Sequence, residues 1–191
     1  NRGLVGDRPG RPVIDEPARM RPFTHMNRDN RIPSDPGAYA LVIRLRREFD
    51  APVGALGTIH LAPGCYVYLG SANGPGGIAA RVRRHLRADK RMHWHIDRLT
   101  GAGAISDIAV QPGGSECALV DHLMTVAGID VPVAGFGSSD CRQCRAHLLS
   151  AAGSNITGPK IILNRLRQLD NMQLYSAASL ISSAATDPVI V

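Results

Sequence analysis

One continuous segment, residues 65–91, restricts the fold most, because a strand, a glycine-rich turn and a basic helix follow one another in it. Apolar and aromatic residues dominate 65–69, which is typical of a short strand. Glycine and proline at 74–77 predict a turn. Apolar side chains then recur every four residues from Ile78 to Leu86, as they do on the buried face of a helix. The segment therefore predicts a strand that turns directly into an amphipathic helix.

The turn and the start of this helix form a candidate phosphate site. Helix N-termini present free N–H groups and a partial positive charge, and both attract phosphate. On a neighbouring face, Arg81 and His85 lie four residues apart, so their side chains are stacked one above the other. Further basic residues cover the remaining surface, as they would on an ordinary solvated helix. The sequence leaves both interpretations of this helix open.

The overall charge favours a polyanionic partner. The chain of 191 residues has a net charge of +6 and a pI of about 9.6. Arginine outnumbers lysine, and its planar guanidinium suits phosphate better than a point charge does. No apolar run approaches the roughly 20 residues that a membrane-spanning helix needs. Without a secretory context, the four cysteines indicate reduced thiols, so we expect a cytoplasmic protein.

Composition divides the chain into three regions. Residues 1–34 are rich in arginine and proline and lack apolar periodicity, so we expect a flexible basic arm. Residues 35–149 carry the strand and helix patterns of one folded domain. Residues 150–191 shift towards alanine, serine and isoleucine and predict a tail with one helix, near 160–175.

Within the folded region, alternating apolar residues predict three strands joined by short turns. They span 37–46, 53–61 and 65–69, and the short connections predict an antiparallel three-stranded meander. Tyr66 and Tyr68 would point to the same face of the third strand. Later patterns predict a short helix at 93–99, a strand at 105–111 and a helix that begins at 116 and ends near 127.

An acidic residue stands on the apolar face of this last helix. Glu116 is followed by Leu119, Val120 and Leu123 at the spacings that share one helix face. A carboxylate on an inward face needs a partner or a metal ion. The helix dipole also favours an acid in the first turn, so a purely structural role is the alternative.

Two cysteines and a histidine form part of a zinc-binding pattern. Cys141 and Cys144 are separated by two residues and His147 follows, whereas a structural zinc site needs four ligands. Cys65, Cys117 or another histidine would have to complete the set. The sequence therefore favours the absence of zinc and keeps it as an alternative. No thioredoxin-like βαβ pattern surrounds the pair, which disfavours redox catalysis.

The order of these motifs resembles that of the GIY-YIG endonuclease family. The combination with residues 93–97 and 135–141 resembles a poorly characterised branch, whose domains are sometimes joined to endonuclease III-type DNA glycosylases. The resemblance covers residues 35–149. The residues that carry it are Gly37-Ala38-Tyr39, Tyr68-Leu69-Gly70-Ser71-Ala72, Arg81, His85 and Glu116.

This resemblance implies an α+β fold, in which a small central antiparallel sheet is flanked by helices, and a phosphodiester hydrolase that uses one divalent metal ion. Glu116 would hold Mg²⁺ or Mn²⁺, which prefer oxygen ligands, and Arg81 would pair with the scissile phosphate. Tyr39, Tyr68 or His85 would orient or deprotonate the attacking water, and the sequence does not choose among them. Further contacts to nucleic acid would come from Gly70, Ser71, Arg83, Arg84, Arg87, Lys90, His93 and His95.

The implied partner is DNA, with RNA as an alternative, and the implied role is DNA repair or recombination together with another repair protein. One departure affects the substrate contacts: the family has an asparagine after the glutamate helix, and residues 116–149 contain none. Ser139 or Asp140 would take its role. Ala38 and Leu69, which stand where the family name has isoleucine, are exchanges between apolar core residues.

A non-catalytic module that binds DNA or RNA is the main competing interpretation. Basic charge and an arginine-rich helix serve such a module equally well. A nucleotide-binding enzyme is disfavoured, because residues 70–77 lack the Gly-Lys-Ser/Thr ending of a P-loop.

Overall fold

The computed structural model describes residues 31–152, 155 and 157–186. In this part the chain is an α+β domain with five α-helices, a six-stranded antiparallel sheet and a two-stranded sheet, which confirms the expected class. Most of the predicted basic arm, residues 1–30, lies outside the described residues, as do residues 187–191. The strands are β1 Gly37–Leu45, β2 Phe49–Pro52, β3 Thr58–Leu61, β4 Gly64–Ser71, β5 Ala104–Pro112, β6 Ile129–Asp130, β7 Leu148–Ala151 and β8 Gln173–Ser176. The helices are α1 Gly77–Leu86, α2 His95–Ala102, α3 Glu116–Met124, α4 Thr157–Leu166 and α5 Ala177–Thr186.

β1 is the centre of both the large sheet and the core. The sheet has the order β6-β7-β4-β1-β5-β8. The odd-numbered residues from Tyr39 to Leu45 face a core formed with α1, α2 and α5. The even-numbered residues from Ala38 to Val42 face a second core formed with α3 and α4. β1 is therefore covered on both faces, and the alternation predicted for it is confirmed.

The predicted three-stranded meander is wrong in its pairing and its strand number. The second predicted strand, 53–61, contains the short 3-10 helix Gly54–Leu56 and only β3, which pairs with β2 in a separate sheet. β4 pairs directly with β1, and β5 takes the other side of β1. Alternation within a segment indicates a strand, but the choice of neighbouring strand depends on contacts between residues far apart in the chain.

The region after residue 150 contributes more to the fold than one helix. α4 ends at Leu166, so the predicted helix over 160–175 is too long, and Tyr175 instead lies in β8. β8 pairs with β5 at the edge of the sheet, and α5 follows it directly. Asn171 has a positive φ of 57° in the connection between α4 and β8, which is incompatible with continued helix.

The other predicted elements agree with the structure. The helix after the glycine-rich turn is α1, the short helix is α2, the helix that begins at Glu116 is α3, and the strand over 105–111 is β5. Within the described ranges, no helix combines the length and the apolar character that crossing a membrane requires.

The start of α1 is not open to a phosphate, and that part of the sequence interpretation is wrong. Its first N–H groups already donate to backbone carbonyl oxygens, Ile78 N–H to Asp35 at 3.1 Å and Ala79 N–H to Pro33 at 3.0 Å. Gly77, which has a positive φ of 52°, packs against residues 33–35. A Cβ added at Gly77 would overlap the carbonyl oxygens of Ser34 and Asp35. The segment before β1 therefore caps the helix.

We expect Gly77→Ala to lower the free energy of unfolding by about 2–4 kcal/mol, since it combines backbone strain with displacement of the capping segment. Gly74→Ala is a matched control in the same turn, because nothing lies within 4 Å of an added Cβ there. It should cost less than about 1 kcal/mol. Urea unfolding followed by circular dichroism measures both, and equal losses would contradict this account of the turn.

Candidate functional site

A cleft of about 590 Å³ is bounded by β1, β4, α1, α3 and the loop between β6 and β7. The segments that bound it are far apart in the chain, so only the folded domain forms it. The predicted site residues that line it are Tyr39, Tyr68, Gly70, Ser71, Arg81 and Glu116.

The register between β1 and β4 sets the positions of the two tyrosines. Tyr39 lies opposite Gly70, and a Cβ at Gly70 would overlap the phenol ring of Tyr39. The glycine thus leaves the space that the tyrosine fills. Tyr68 lies two residues before Gly70 and points to the same side of the sheet, so the two tyrosine rings are 6.5 Å apart between centroids.

His85 lies behind Tyr39 rather than in the wall of the cleft. Its Nε2 atom is 2.9 Å from the Tyr39 hydroxyl, and the residue is only 1% exposed. Its Nδ1 atom faces Asp97 Oδ1 at 3.7 Å. We therefore assign the ring hydrogen to Nδ1 and the Tyr39 O–H as the donor to Nε2. Burial lowers the pKa of His85 to about 4, against the opposing effect of Asp97, so the ring is neutral at pH 7.

Both tyrosines carry their protons at neutral pH. Burial raises the pKa of Tyr39 well above its usual range and raises that of Tyr68 to about 12. The positive charge of Arg81 lowers both pKa values but does not offset burial. Tyr39 differs from Tyr68 in having a neutral imidazole beside its hydroxyl. Among the described residues, the Tyr68 hydroxyl makes no hydrogen bond.

A buried carboxylate holds the structure behind the tyrosines together. Asp97 accepts two hydrogen bonds of 2.9 Å from the Arg84 guanidinium and two of 2.9 Å from the backbone N–H groups of His93 and Trp94. Burial alone would raise the pKa of Asp97, but these hydrogen bonds outweigh it and hold the pKa well below its usual range. Arg84 also donates to the Arg91 carbonyl oxygen. Its guanidinium therefore has a structural role that the sequence did not reveal.

Two guanidinium groups pack against the ring of Trp94. The Cζ atoms of Arg81 and Arg84 lie 4.3 Å and 3.9 Å from the ring centroid, within cation–π range. The charge of Arg84 is compensated by Asp97. Arg81 lines the cleft and has no acidic partner in the part of the chain that the structure describes. Its guanidinium is therefore a fixed positive charge that an anion in the cleft can reach.

The remaining predicted nucleic-acid contacts do not line the cleft. Arg83 is exposed on α1, and the exposed Arg87, directly after α1, is paired with Asp89. Lys90 donates to two backbone carbonyl oxygens at the C-terminal end of α1. His93 and His95 flank the start of α2 on either side of the tryptophan. These residues are placed to touch only a ligand that extends beyond the cleft.

Glu116 is the first residue of α3 and lies half-buried in the cleft wall. Leu119, Val120 and Leu123 are buried, so the apolar face predicted for this helix is confirmed. Asp140, from the loop before β7, brings a second carboxylate to the cleft. Carboxylate oxygens are the ligands that Mg²⁺ and Mn²⁺ prefer.

At the same end of α3, four side chains form a cluster that could hold a metal ion. Cys117, Cys141, Cys144 and His147 each offer one ligand atom, and these atoms all lie within 4.8 Å of one another. The Sγ atom of Cys141 accepts the N–H groups of Cys144 at 3.3 Å and Gln143 at 3.4 Å, which lowers the pKa of the Cys141 thiol. Cys117, one of several candidates in the sequence, is the fourth member.

Trp94, Arg142 and Gln143 line the cleft without having been predicted as site residues. Arg142 and Gln143 lie between the two cysteines of the Cys-x-x-Cys pattern. That pattern is the sequence signal from which these two positions could have been predicted. The role of Trp94 has no local signal, because both arginines that contact it come from another helix.

Comparison with known proteins places the chain in one family. Residues 38–167 match the family model described as a domain of unknown function, DUF123. No curated protein and no solved structure matches the chain.

The buried His85 makes stability depend on pH. Its pKa is about 4 in the folded protein and about 6.5 in an unfolded chain. Because the folded pKa is the lower one, the contribution of His85 to stability is present above pH 6.5 and is lost as the pH falls through 4. We expect the free energy of unfolding to fall by about 2–3 kcal/mol between pH 7 and 4.5.

His85→Gln should remove this dependence, because glutamine does not titrate and still offers Tyr39 a polar partner. The exposed residue His60 provides the control, and His60→Gln should keep the wild-type dependence. Asp97 contributes little in this window, since its folded pKa is depressed below the unfolded value of about 3.9. Urea unfolding at a series of pH values measures all three proteins, and identical slopes would contradict the assignment to His85.

Proposed function

The chain belongs to the DUF123 family, a domain of unknown function, and from its cleft we propose that it is a divalent-metal-dependent endonuclease. Its substrate is nucleic acid, most readily DNA, with RNA as the alternative. The observation that carries this proposal is the convergence of Tyr39, Tyr68, Arg81 and Glu116 on one cleft. The resemblance of these residues to the GIY-YIG endonuclease motifs points to the same chemistry.

Arg81 supplies the contact to the scissile phosphate. Hydrolysis builds negative charge on the phosphate oxygens, and a preorganised cation stabilises that charge most where water is excluded. The ring of Trp94 supports the Arg81 guanidinium from one side. Since no acid in the described part of the chain neutralises Arg81, its charge is available to the substrate.

Tyr39 and His85 act together as the base. The Tyr39 hydroxyl takes a proton from the attacking water while its own proton passes to His85 Nε2, so no free phenolate is formed. At pH 7 a histidine with a pKa of about 4 accepts a proton at a cost of about 4 kcal/mol. A bound phosphodiester reduces this cost, because its negative charge offsets Arg81, one of the groups that lower the pKa of His85. Tyr68, which lacks such an acceptor, orients the water or the phosphate.

Glu116 is the residue that would hold the divalent ion. One half-buried carboxylate facing an open cleft, with Asp140 nearby on the loop, fits Mg²⁺, which keeps several waters and needs only one or two protein carboxylates. A bound Mg²⁺ or Mn²⁺ ion would offset charge on the phosphate and lower the pKa of water. Without an ion, Glu116 would repel the phosphate that Arg81 attracts.

The competing proposal is a module that binds nucleic acid without cleaving it. The exposed arginine of α1, Arg83, favours it, because it lies outside the cleft and suits phosphate contacts alone. Glu116 argues against it, since a carboxylate in a pure phosphate site would weaken binding. The two proposals differ in the response to metal.

The decisive experiment incubates the protein with supercoiled, linear, single-stranded and branched DNA and with RNA, in Mg²⁺, Mn²⁺ or EDTA. We expect cleavage that requires the metal ion. Glu116→Gln should lower cleavage at least about 100-fold while nucleic-acid binding persists or tightens. Glu48→Gln removes the same charge at an exposed position and serves as the control.

The two failures are distinct in this experiment. Wild-type protein that cleaves no substrate with either metal would contradict the nuclease proposal. Full cleavage by Glu116→Gln would contradict only the assignment of the metal-binding residue.

Arg81 should affect turnover more than binding. We expect Arg81→Ala to lower the cleavage rate about 100- to 1,000-fold, as the loss of one transition-state donor does. Arg83→Ala removes the same charge two residues along α1, outside the cleft, and should mainly weaken binding by a few-fold. Single-turnover rates and binding by fluorescence anisotropy separate the two effects. Similar and small losses in both variants would indicate a basic surface instead of a site.

A further inference from the structure

We propose that Cys117, Cys141, Cys144 and His147 bind one Zn²⁺ ion in a closed structural site that fastens the loop before β7 to the first turn of α3. This site is separate from the Mg²⁺ or Mn²⁺ position at Glu116. It does not depend on the nuclease proposal.

The spacing of the four side chains fits a single tetrahedral ion. Zinc lies about 2.3 Å from thiolate sulfur, which puts two sulfurs of one tetrahedron about 3.8 Å apart. The Cys117 and Cys141 sulfurs are 3.5 Å apart, and all four ligand atoms lie within 4.8 Å of one another. The side chains are therefore gathered around one point.

The surroundings of two members also indicate a ligand set. Cys141 Sγ accepts hydrogen bonds from two backbone N–H groups of its own Cys-x-x-Cys turn. Such donors stabilise the thiolate form that binds metals. His147 is only 5% exposed, and its Nε2 atom has no hydrogen-bond partner in the described part of the chain. A buried imidazole normally satisfies both nitrogens, so His147 has capacity left for a metal ion.

His147 is held firmly by its backbone. Its N–H group donates to the Phe136 carbonyl oxygen at 2.8 Å, and its own carbonyl oxygen accepts the Leu69 N–H at 2.9 Å. One ligand is thus fixed to β4, one comes from the start of α3, and two come from the turn between residues 141 and 144. An ion bound by all four would join these three segments at one point.

Zinc is the ion that this ligand set favours. Three thiolates and an imidazole suit a soft or borderline ion with tetrahedral geometry, whereas Mg²⁺ and Mn²⁺ prefer oxygen. Four protein ligands leave no position for water or substrate, which is characteristic of structural zinc. A disulfide between Cys117 and Cys141 would need a sulfur separation near 2.05 Å and would leave Cys144 and His147 unexplained.

The zinc site would lie beside the cleft and hold parts of its wall in place. Cys117 follows Glu116 in the first turn of α3, and Asp140 and Arg142 flank Cys141 while lining the same cleft. Zinc would therefore fix both the metal-binding carboxylate and the facing loop. With three thiolates the complex carries one net negative charge, so it would not repel a second cation at Glu116.

The first measurement is the metal content of the full chain, purified with and without added Zn²⁺, by plasma mass spectrometry. We expect one zinc ion per chain, and its loss in Cys117→Ser and Cys144→Ser. Cys65→Ala is the matched control, because Cys65 is a buried cysteine of β4 outside the cluster, and it should retain the zinc.

A second measurement covers the case in which the cysteine variants do not fold. Wild-type protein loaded with Co²⁺ in place of zinc should give the visible absorption of a tetrahedral cobalt–thiolate site, and added Zn²⁺ should abolish it. Folded wild-type protein that binds no zinc after reconstitution, contains stoichiometric iron instead, or carries a Cys117–Cys141 disulfide would overturn the proposal. Zinc content is independent of cleavage, so a protein with zinc and no nuclease activity would contradict only the proposed function.

Discussion

The buried carboxylate of Asp97 is the interaction on which the cleft depends. It is fully buried and ionised, and four hydrogen bonds from Arg84 and from two backbone N–H groups compensate its charge. Removing one partner of such a buried pair typically costs about 3–5 kcal/mol. Because Arg84 is held there, Trp94 is held as well, and Trp94 in turn supports Arg81. The buried Asp97 carboxylate thus determines the position of the Arg81 guanidinium in the cleft, although Asp97 does not itself line the cleft.

A second constraint comes from the centre of the sheet. β1 is buried on both faces, so a shift of one residue in its pairing with β4 would turn every side chain to the wrong core. The same register places Tyr39 against Gly70, with the Tyr39 hydroxyl within hydrogen-bond distance of His85. Packing therefore fixes the tyrosine–histidine pair. A site built on central strands has little freedom to move, which suits preorganised chemistry.

Local periodicity predicted the parts of this protein well. The alternation in β1, the four-residue spacing in α1 and the apolar face of α3 are all present in the structure. Two of the predictions that were wrong concern partners: the neighbour of β4 and the phosphate site before α1. Each depends on a contact with a distant segment. The N–H groups at the start of α1, for example, are satisfied by residues 33–35.

The sequence by itself determined the positive charge, the positions of most strands and helices and the residues that can do chemistry, because these follow from local spacing and residue type. Only the tertiary structure decided which of them meet. It placed His85 behind Tyr39 and paired Arg84 with Asp97. A buried charge or imidazole needs a hydrogen-bond partner, and the packing decides which partner lies close enough. It also brought Cys117 to Cys141, 24 residues along the chain, and so completed a cluster of four side chains that could hold a metal ion.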